Sequence, residues 1–113
     1  MGLERKSMLT NHSSVSPVAM MPGITRRTMN YGERTLLVEL SLDKDAIIPV
    51  HSHPHEQIGY LVSGKLQFVL GDQSQVMMPG DSWVVPSNME HKVTALADSI
   101  AIDIFSPVRE DYK

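Results

Sequence analysis

His51, His53 and His55 alternate with Ser52 and Pro54, Gln57 follows shortly after, and His91 stands further along, beyond Pro86. Imidazole is the commonest protein ligand for transition metals, and alternate positions of a strand point the same way, so His51 and His53 can grip one ion. If a turn at Pro54 starts a second strand, Gln57 returns its carbonyl oxygen to the same point. His91 is expected to supply the fourth donor from across the fold. The set His51, His53, Gln57 and His91 carries no formal charge, so a bound cation keeps its full charge and attracts an anion. One or two positions would stay open for water or substrate. Zinc, iron, nickel and manganese all suit nitrogen and oxygen donors, and the absence of cysteine removes thiolate from the list.

A single histidine in such a tract is more simply read as a surface ring or a cap on a nearby carbonyl. Three of them next to an apolar strand at 47–50, with a further donor opening the next strand, favour convergence on a metal. If Gln57 faces inward with Gly59 and Leu61, strand parity sends Glu56, Ile58 and Tyr60 to the other side, and Glu56 is not a ligand. His55 falls at the bend after Pro54, where an exposed ring or one that orients a ligand fits better than a coordinating one.

A second constellation closes the chain. Asp103 interrupts the apolar run 100–105, a costly placement unless the acid has a partner. It shares parity with Ala101 and Phe105, and Arg109 follows the turn at Pro107. One reading pairs Asp103 with Arg109 to hold the C-terminal segment. The other makes Asp103 a proton donor or acceptor and Arg109 a bidentate clamp for a substrate carboxylate, with Phe105 in the pocket wall.

The elements that must position these groups read as strands. Leu36, Val38, Leu40 and Leu42 alternate, and short apolar runs at 58–62, 66–70, 76–78, 82–85, 91–96 and 100–105 are separated by turn formers such as Ser63-Gly64, Gly71-Asp72 and Pro79-Gly80-Asp81. Evenly spaced strands without an amphipathic helix predict an all-β sandwich or barrel that closes on itself. The 113 residues suit one domain, expected at 18–113, with a loosely docked arm at 1–17 that includes His12 and lacks the apolar stretch of a signal peptide. A net charge of −3 disfavours nucleic acid and anionic membrane as partners, and no transmembrane span is present. The eight methionines are read as fillers of core gaps and of a subunit interface, and not as ligands.

With these residues in place, the chain resembles the cupin superfamily. His51, His53, Gln57 and Gly64 stand as in its first motif, and Gly80, Pro86 and His91 as in its second. Four positions depart: Asp45 replaces the leading Gly, Gln57 the usual Glu ligand, Asn88 a Gly and Ala95 the last Asn. Asn88 is a mild change, because Asn tolerates the left-handed backbone that Gly supplies. From about Pro22 to Lys113 the chain is similar to the small pectin degradation proteins, through Gly23-Ile24-Thr25-Arg26-Arg27, the segment His51 to Gln57, and Asp103-Ile104-Phe105-Ser106-Pro107.

That resemblance implies a single-domain jelly-roll β-barrel, a divalent transition metal on His51, His53, Gln57 and His91, and a pocket lined by Asp103, Phe105 and Arg109. It further implies a cytoplasmic homodimer that converts 4,5-unsaturated hexuronate monomers to linear 5-keto-4-deoxyuronate. Trp83 and the methionine-rich strands are compatible with an apolar dimer interface. Rival readings are an iron dioxygenase or another isomerase on the same barrel, and a non-catalytic module that binds a sugar acid or a metal.

Overall fold

The computed structural model describes residues 8–113. Ten strands account for the architecture: β1 (Val18–Met21), β2 (Ile24–Tyr31), β3 (Leu36–Leu42), β4 (Ile47–His51), β5 (Glu56–Ser63), β6 (Leu66–Leu70), β7 (Gln73–Met77), β8 (Ser82–Val85), β9 (His91–Ala95) and β10 (Ser99–Ser106). They form a six-stranded sheet in the order β1-β2-β3-β10-β5-β8 and a four-stranded sheet in the order β4-β9-β6-β7. All pairings are antiparallel. The described residues contain no α-helix, only 3-10 turns at His12–Ser14 and Glu110–Tyr112. Among the described residues no helix is long and apolar enough to cross a membrane.

Alternation in the sequence becomes alternation in burial. Leu36, Val38, Leu40 and Leu42 of β3 all face the space between the sheets, as do Gln57, Gly59 and Leu61 of β5 and Ala101, Asp103 and Phe105 of β10. Ile24, Leu36, Val38, Leu61, Leu66 and Val85 are the largest side chains fully withdrawn from solvent. This core runs the length of the space between the sheets, with Leu36 and Val85 level with Gln57 in the register.

Two strands escaped the sequence reading. β1 is only four residues long, and β2 carries Thr25, Arg26, Arg27, Thr28 and Asn30 where an apolar alternation would be looked for and is mostly half-buried. What makes β2 a strand is its pairing with β3, from Ile24 opposite Leu42 to Tyr31 opposite Leu36. Three residues of the expected arm contact β2 and β3: Val15 O accepts from Arg27 Nε, Met8 O from Asn30 Nδ2, and His12 meets Glu39 at 2.8 Å. Residues 1–7 of that arm lie outside the described residues. His12 is thus committed to Glu39, consistent with its exclusion from the ligand set.

Asp45 and Asn88 both adopt positive φ, 74° and 65°, at two positions where the resemblance expects glycine. Short polar side chains tolerate this region better than others do, which explains how the turns survive both replacements.

Candidate metal centre and pocket

β4 ends at His51, and His53 lies beyond it in the bend before β5, so the two rings do not share a strand as the spacing suggests. They are brought together by the loop instead. His91 opens β9, whose partner is β4, and stands directly opposite His51 in the register. The fourth donor therefore comes from the adjacent strand of the same sheet, and not from across the barrel. It is Gln57, on β5, that reaches over from the six-stranded sheet. His55 sits at the bend, its ring 5.7 Å from that of His53, and is no part of the cluster.

The ring centres of His51 and His91 are 4.1 Å apart, and that of His53 is 5.0 Å from His91 and 5.7 Å from His51. One nitrogen from each ring lies within 4.8 Å of the other two. All three rings are oriented by the same local device. Nδ1 of His51 meets Pro49 O at 2.9 Å, Nδ1 of His53 meets His55 O at 3.0 Å, and Nδ1 of His91 meets Met89 O at 2.9 Å. A carbonyl can only accept, so each Nδ1 must carry the proton. Each neutral ring then presents the Nε2 lone pair, the arrangement expected of metal-ligating histidines.

Burial lowers the pKa of His91 to about 4, and burial followed by the Arg109 charge lowers that of His53. Both rings are thereby held in the neutral form that a metal requires. His53 Nε2 lies 3.0 Å from Gln57 Oε1. With the proton on Nδ1 these are two lone pairs facing one another, an arrangement that a cation between them satisfies. The donor set fits a divalent transition ion. It consists of three neutral imidazoles and one amide oxygen, with no ligand charge.

Behind the histidines stands Asp103. It is 3% exposed and takes two hydrogen bonds on Oδ1, from Gln57 Nε2 and Trp83 Nε1, each 2.9 Å long. Because the Gln57 amide nitrogen is drawn to this carboxylate, its oxygen must point at the histidines. Asp103 thus fixes which end of the amide faces the cluster. Burial pushes the Asp103 pKa up to about 6, against the opposing hydrogen bonds from Gln57 and Trp83 and the charge of Arg109. Its partners are those two side chains and not Arg109, which corrects the pairing considered from sequence. Gly59 makes the approach possible, since a Cβ there would collide with Trp83 Nε1 and Asp103 Oδ1.

Trp83 is a residue whose role the sequence reading mistook. It is 7% exposed, stacks at 5.0 Å on Phe68 and donates to Asp103, so it serves the interior and not a subunit interface. Tyr112 was missed altogether. The 3-10 turn at Glu110–Tyr112 folds it back against Phe105 and Arg109. No motif marks it, and only its position three residues after Arg109 could have drawn attention. One cavity of about 240 Å³ joins these groups: His51, His91, Gln57, Asp103, Arg109 and Tyr112 all line it, and the Arg109 charge is felt at His53, His91 and Asp103. Most of the remaining wall is apolar, including Met20, Met21, Leu40 and Phe105.

Two packed antiparallel sheets, a histidine cluster drawn from two separate sequence blocks and an inward amide define the class. The family model for the cupin domain matches residues 38–105, and the chain belongs to that family. Within it, the chain is 32% identical over 92 residues to the pectin degradation protein KdgF of Dickeya dadantii, spanning 80% of this chain and 84% of that protein. The solved structure of KdgF from Halomonas sp. superposes with a TM-score of 0.89 at 32% identity, covering 93% of this chain and 99% of that one. An RmlC-like cupin from Shewanella frigidimarina superposes with a TM-score of 0.92 at 27% identity, over 98% of this chain and all of the other.

Proposed function

We propose that the protein is a metal-dependent cupin enzyme that opens 4,5-unsaturated hexuronate monomers to linear 5-keto-4-deoxyuronate. The observation that carries this is the joining, in one cavity, of a neutral donor cluster, a buried acid whose pKa is pushed to about 6, and the Arg109 guanidinium. The likeness to KdgF proteins, named for pectin degradation, supports the substrate class.

His51, His53, His91 and Gln57 Oε1 would hold the ion. When bound, the metal supplies Lewis-acid polarisation of sugar oxygens. Arg109 receives the carboxylate through paired N–H donors, and Phe105 shapes the apolar wall beside the ring. Ring opening breaks the C1–O5 bond as the C1 hydroxyl loses its proton, leaving an aldehyde at C1 and an enol at C5. Ketonisation then places a proton on C4 and completes the C5 carbonyl. Asp103 is the group that moves this proton. Oδ1 is committed to Gln57 and Trp83, which leaves Oδ2 for the exchange. A pKa of about 6 keeps both protonation states accessible near neutrality.

The experiment is direct. Metal-loaded protein mixed with the unsaturated monomer should abolish the ultraviolet absorbance of the enol ether and yield the linear keto acid by NMR, with and without oxygen. Uronate bound but not consumed would identify a binding module, and a requirement for O₂ would identify an oxygenase.

Two finer expectations belong with this reading. A second copy is proposed to cover the outer face of the six-stranded sheet, where Ile58, Tyr60, Val62, Val84 and Ile100 are exposed side by side on β5, β8 and β10. Sedimentation should show a dimer that Ile58→Glu dissociates. The cytoplasm is the proposed compartment, to be checked by cell fractionation.

A further inference from the structure

Tyr112 lies where three elements meet. Its ring stands edge-on to Phe105 of β10, with centres 5.5 Å apart. The guanidinium carbon of Arg109 is 3.9 Å from the ring centre, and that of Arg26, on β2, is 4.4 Å from it. The Tyr112 carbonyl also accepts a hydrogen bond from Thr28 Oγ1 of β2. Two like charges on one aromatic ring repel each other, so something must hold them there.

Ion pairing does not. Among the described residues no carboxylate lies within ion-pair reach of Arg26, whose Nε is buried without a hydrogen-bond partner. Arg109 reaches only Asp111, at 3.3 Å, and that side chain is 63% exposed, where screening makes a pair weak. The Phe105 ring, 5.1 Å from the Arg109 guanidinium, adds some attraction, but the negative face of Tyr112, at 3.9 Å, is the closer ring and the one both cations share, and a planar guanidinium stacked on it is restricted to few rotamers.

We propose that Tyr112 is the positioning residue for carboxylate recognition: it presets Arg109 beside the cavity and is itself held in place from β2 by Arg26 and Thr28. The inference rests on the reading of Arg109 as the partner of the substrate carboxylate. A guanidinium already held in its binding geometry loses little freedom when the sugar arrives. The device therefore acts on affinity and not on proton transfer.

Tyr112→Leu should raise KM for the unsaturated hexuronate about tenfold while kcat stays within about twofold, and Arg26→Met should raise KM by a smaller factor. Tyr112→Phe keeps the ring and should keep the wild-type KM. The methyl ester of the same sugar has no carboxylate and should not distinguish Tyr112→Leu from wild type. A fall in kcat at constant KM, equal losses on the ester, a Phe variant as impaired as the Leu variant, or loss of metal from Tyr112→Leu would each overturn the proposal. Calorimetry with galacturonate, a saturated hexuronate that the reaction cannot consume, separates the two readings. Wild-type binding that weakens about tenfold in Tyr112→Leu sustains the device even if the unsaturated sugar is not turned over. A wild type that binds neither sugar overturns both.

Discussion

The histidine part of the cavity and the part formed by Asp103 and Arg109 are built on different principles. Each imidazole is aimed by a backbone carbonyl two residues away in its own segment, Pro49 for His51, His55 for His53 and Met89 for His91. Asp103 and Arg109 are aimed by side chains far away in sequence or in the C-terminal turn: Gln57 and Trp83 for the acid, Tyr112 for the cation. Orientation by the local backbone survives most substitutions elsewhere, whereas orientation by remote side chains can be removed one partner at a time. The first part should therefore fail only when a ligand is lost, and the second should fail gradually.

The largest expected effect tests the first half of that contrast. His53→Ala removes one nitrogen and exposes the remaining donors to water, so metal affinity should fall at least about 100-fold and turnover should vanish. Metal analysis after dialysis reads this directly. Retention of a full equivalent would show that the ion sits elsewhere.

Next comes the acid. Asp103→Asn retains an oxygen that can accept from Gln57 and Trp83, so metal content should hold while kcat falls about 10²- to 10⁴-fold. Asp103→Ala leaves the Gln57 amide free to turn, and that variant should lose metal as well as turnover. Equal metal content in the two variants would remove Asp103 from the orientation of Gln57.

Trp83→Phe isolates one hydrogen bond. The indole N–H lowers the Asp103 pKa, so its loss should raise that pKa above about 6 and move the corresponding limb of the pH–rate profile to higher pH. The accompanying loss of rate should be about tenfold, the worth of one hydrogen bond to a charged group. An unmoved profile would mean that another group sets the limb.

The smallest effect concerns the stability of metal-free protein. The depressed His91 pKa contributes stability that is fully present above the unfolded value of 6.5 and is lost as pH falls toward about 4. Asp103 acts with the opposite sign. Its folded pKa of about 6 exceeds the unfolded 3.8, so the folded state gains stability as pH falls through that window. The two nearly cancel in wild type. Asp103→Asn should unmask the His91 contribution, and its thermal midpoint should drop more steeply between pH 6 and pH 4 than that of the wild type. Parallel curves would show that the two groups do not oppose each other.

Much of this could be read in advance, for identifiable reasons. The strict alternation at Leu36, Val38, Leu40 and Leu42 announces a half-buried strand because side chains of a strand alternate between faces. The same parity correctly turned Gln57 inward and Glu56 outward. β2 stayed hidden because Arg26, Arg27, Thr28 and Asn30 break the pattern, and what holds them is pairing with β3. The side from which His91 approaches depended on which strands are neighbours. That β9 pairs with β4 is a long-range choice with no local mark.

The sequence by itself determined the donor types, the inward parity of Gln57 and Asp103, and the all-β class, because these follow from side-chain chemistry and from the two-residue period of a strand. Only the tertiary structure decided that Trp83 and Gln57 share one oxygen of Asp103 and that Arg26 and Arg109 share one ring of Tyr112. Except for Arg109 with Tyr112, these contacts join residues tens of positions apart. They are set by sheet order and register, which emerge from packing the whole core at once.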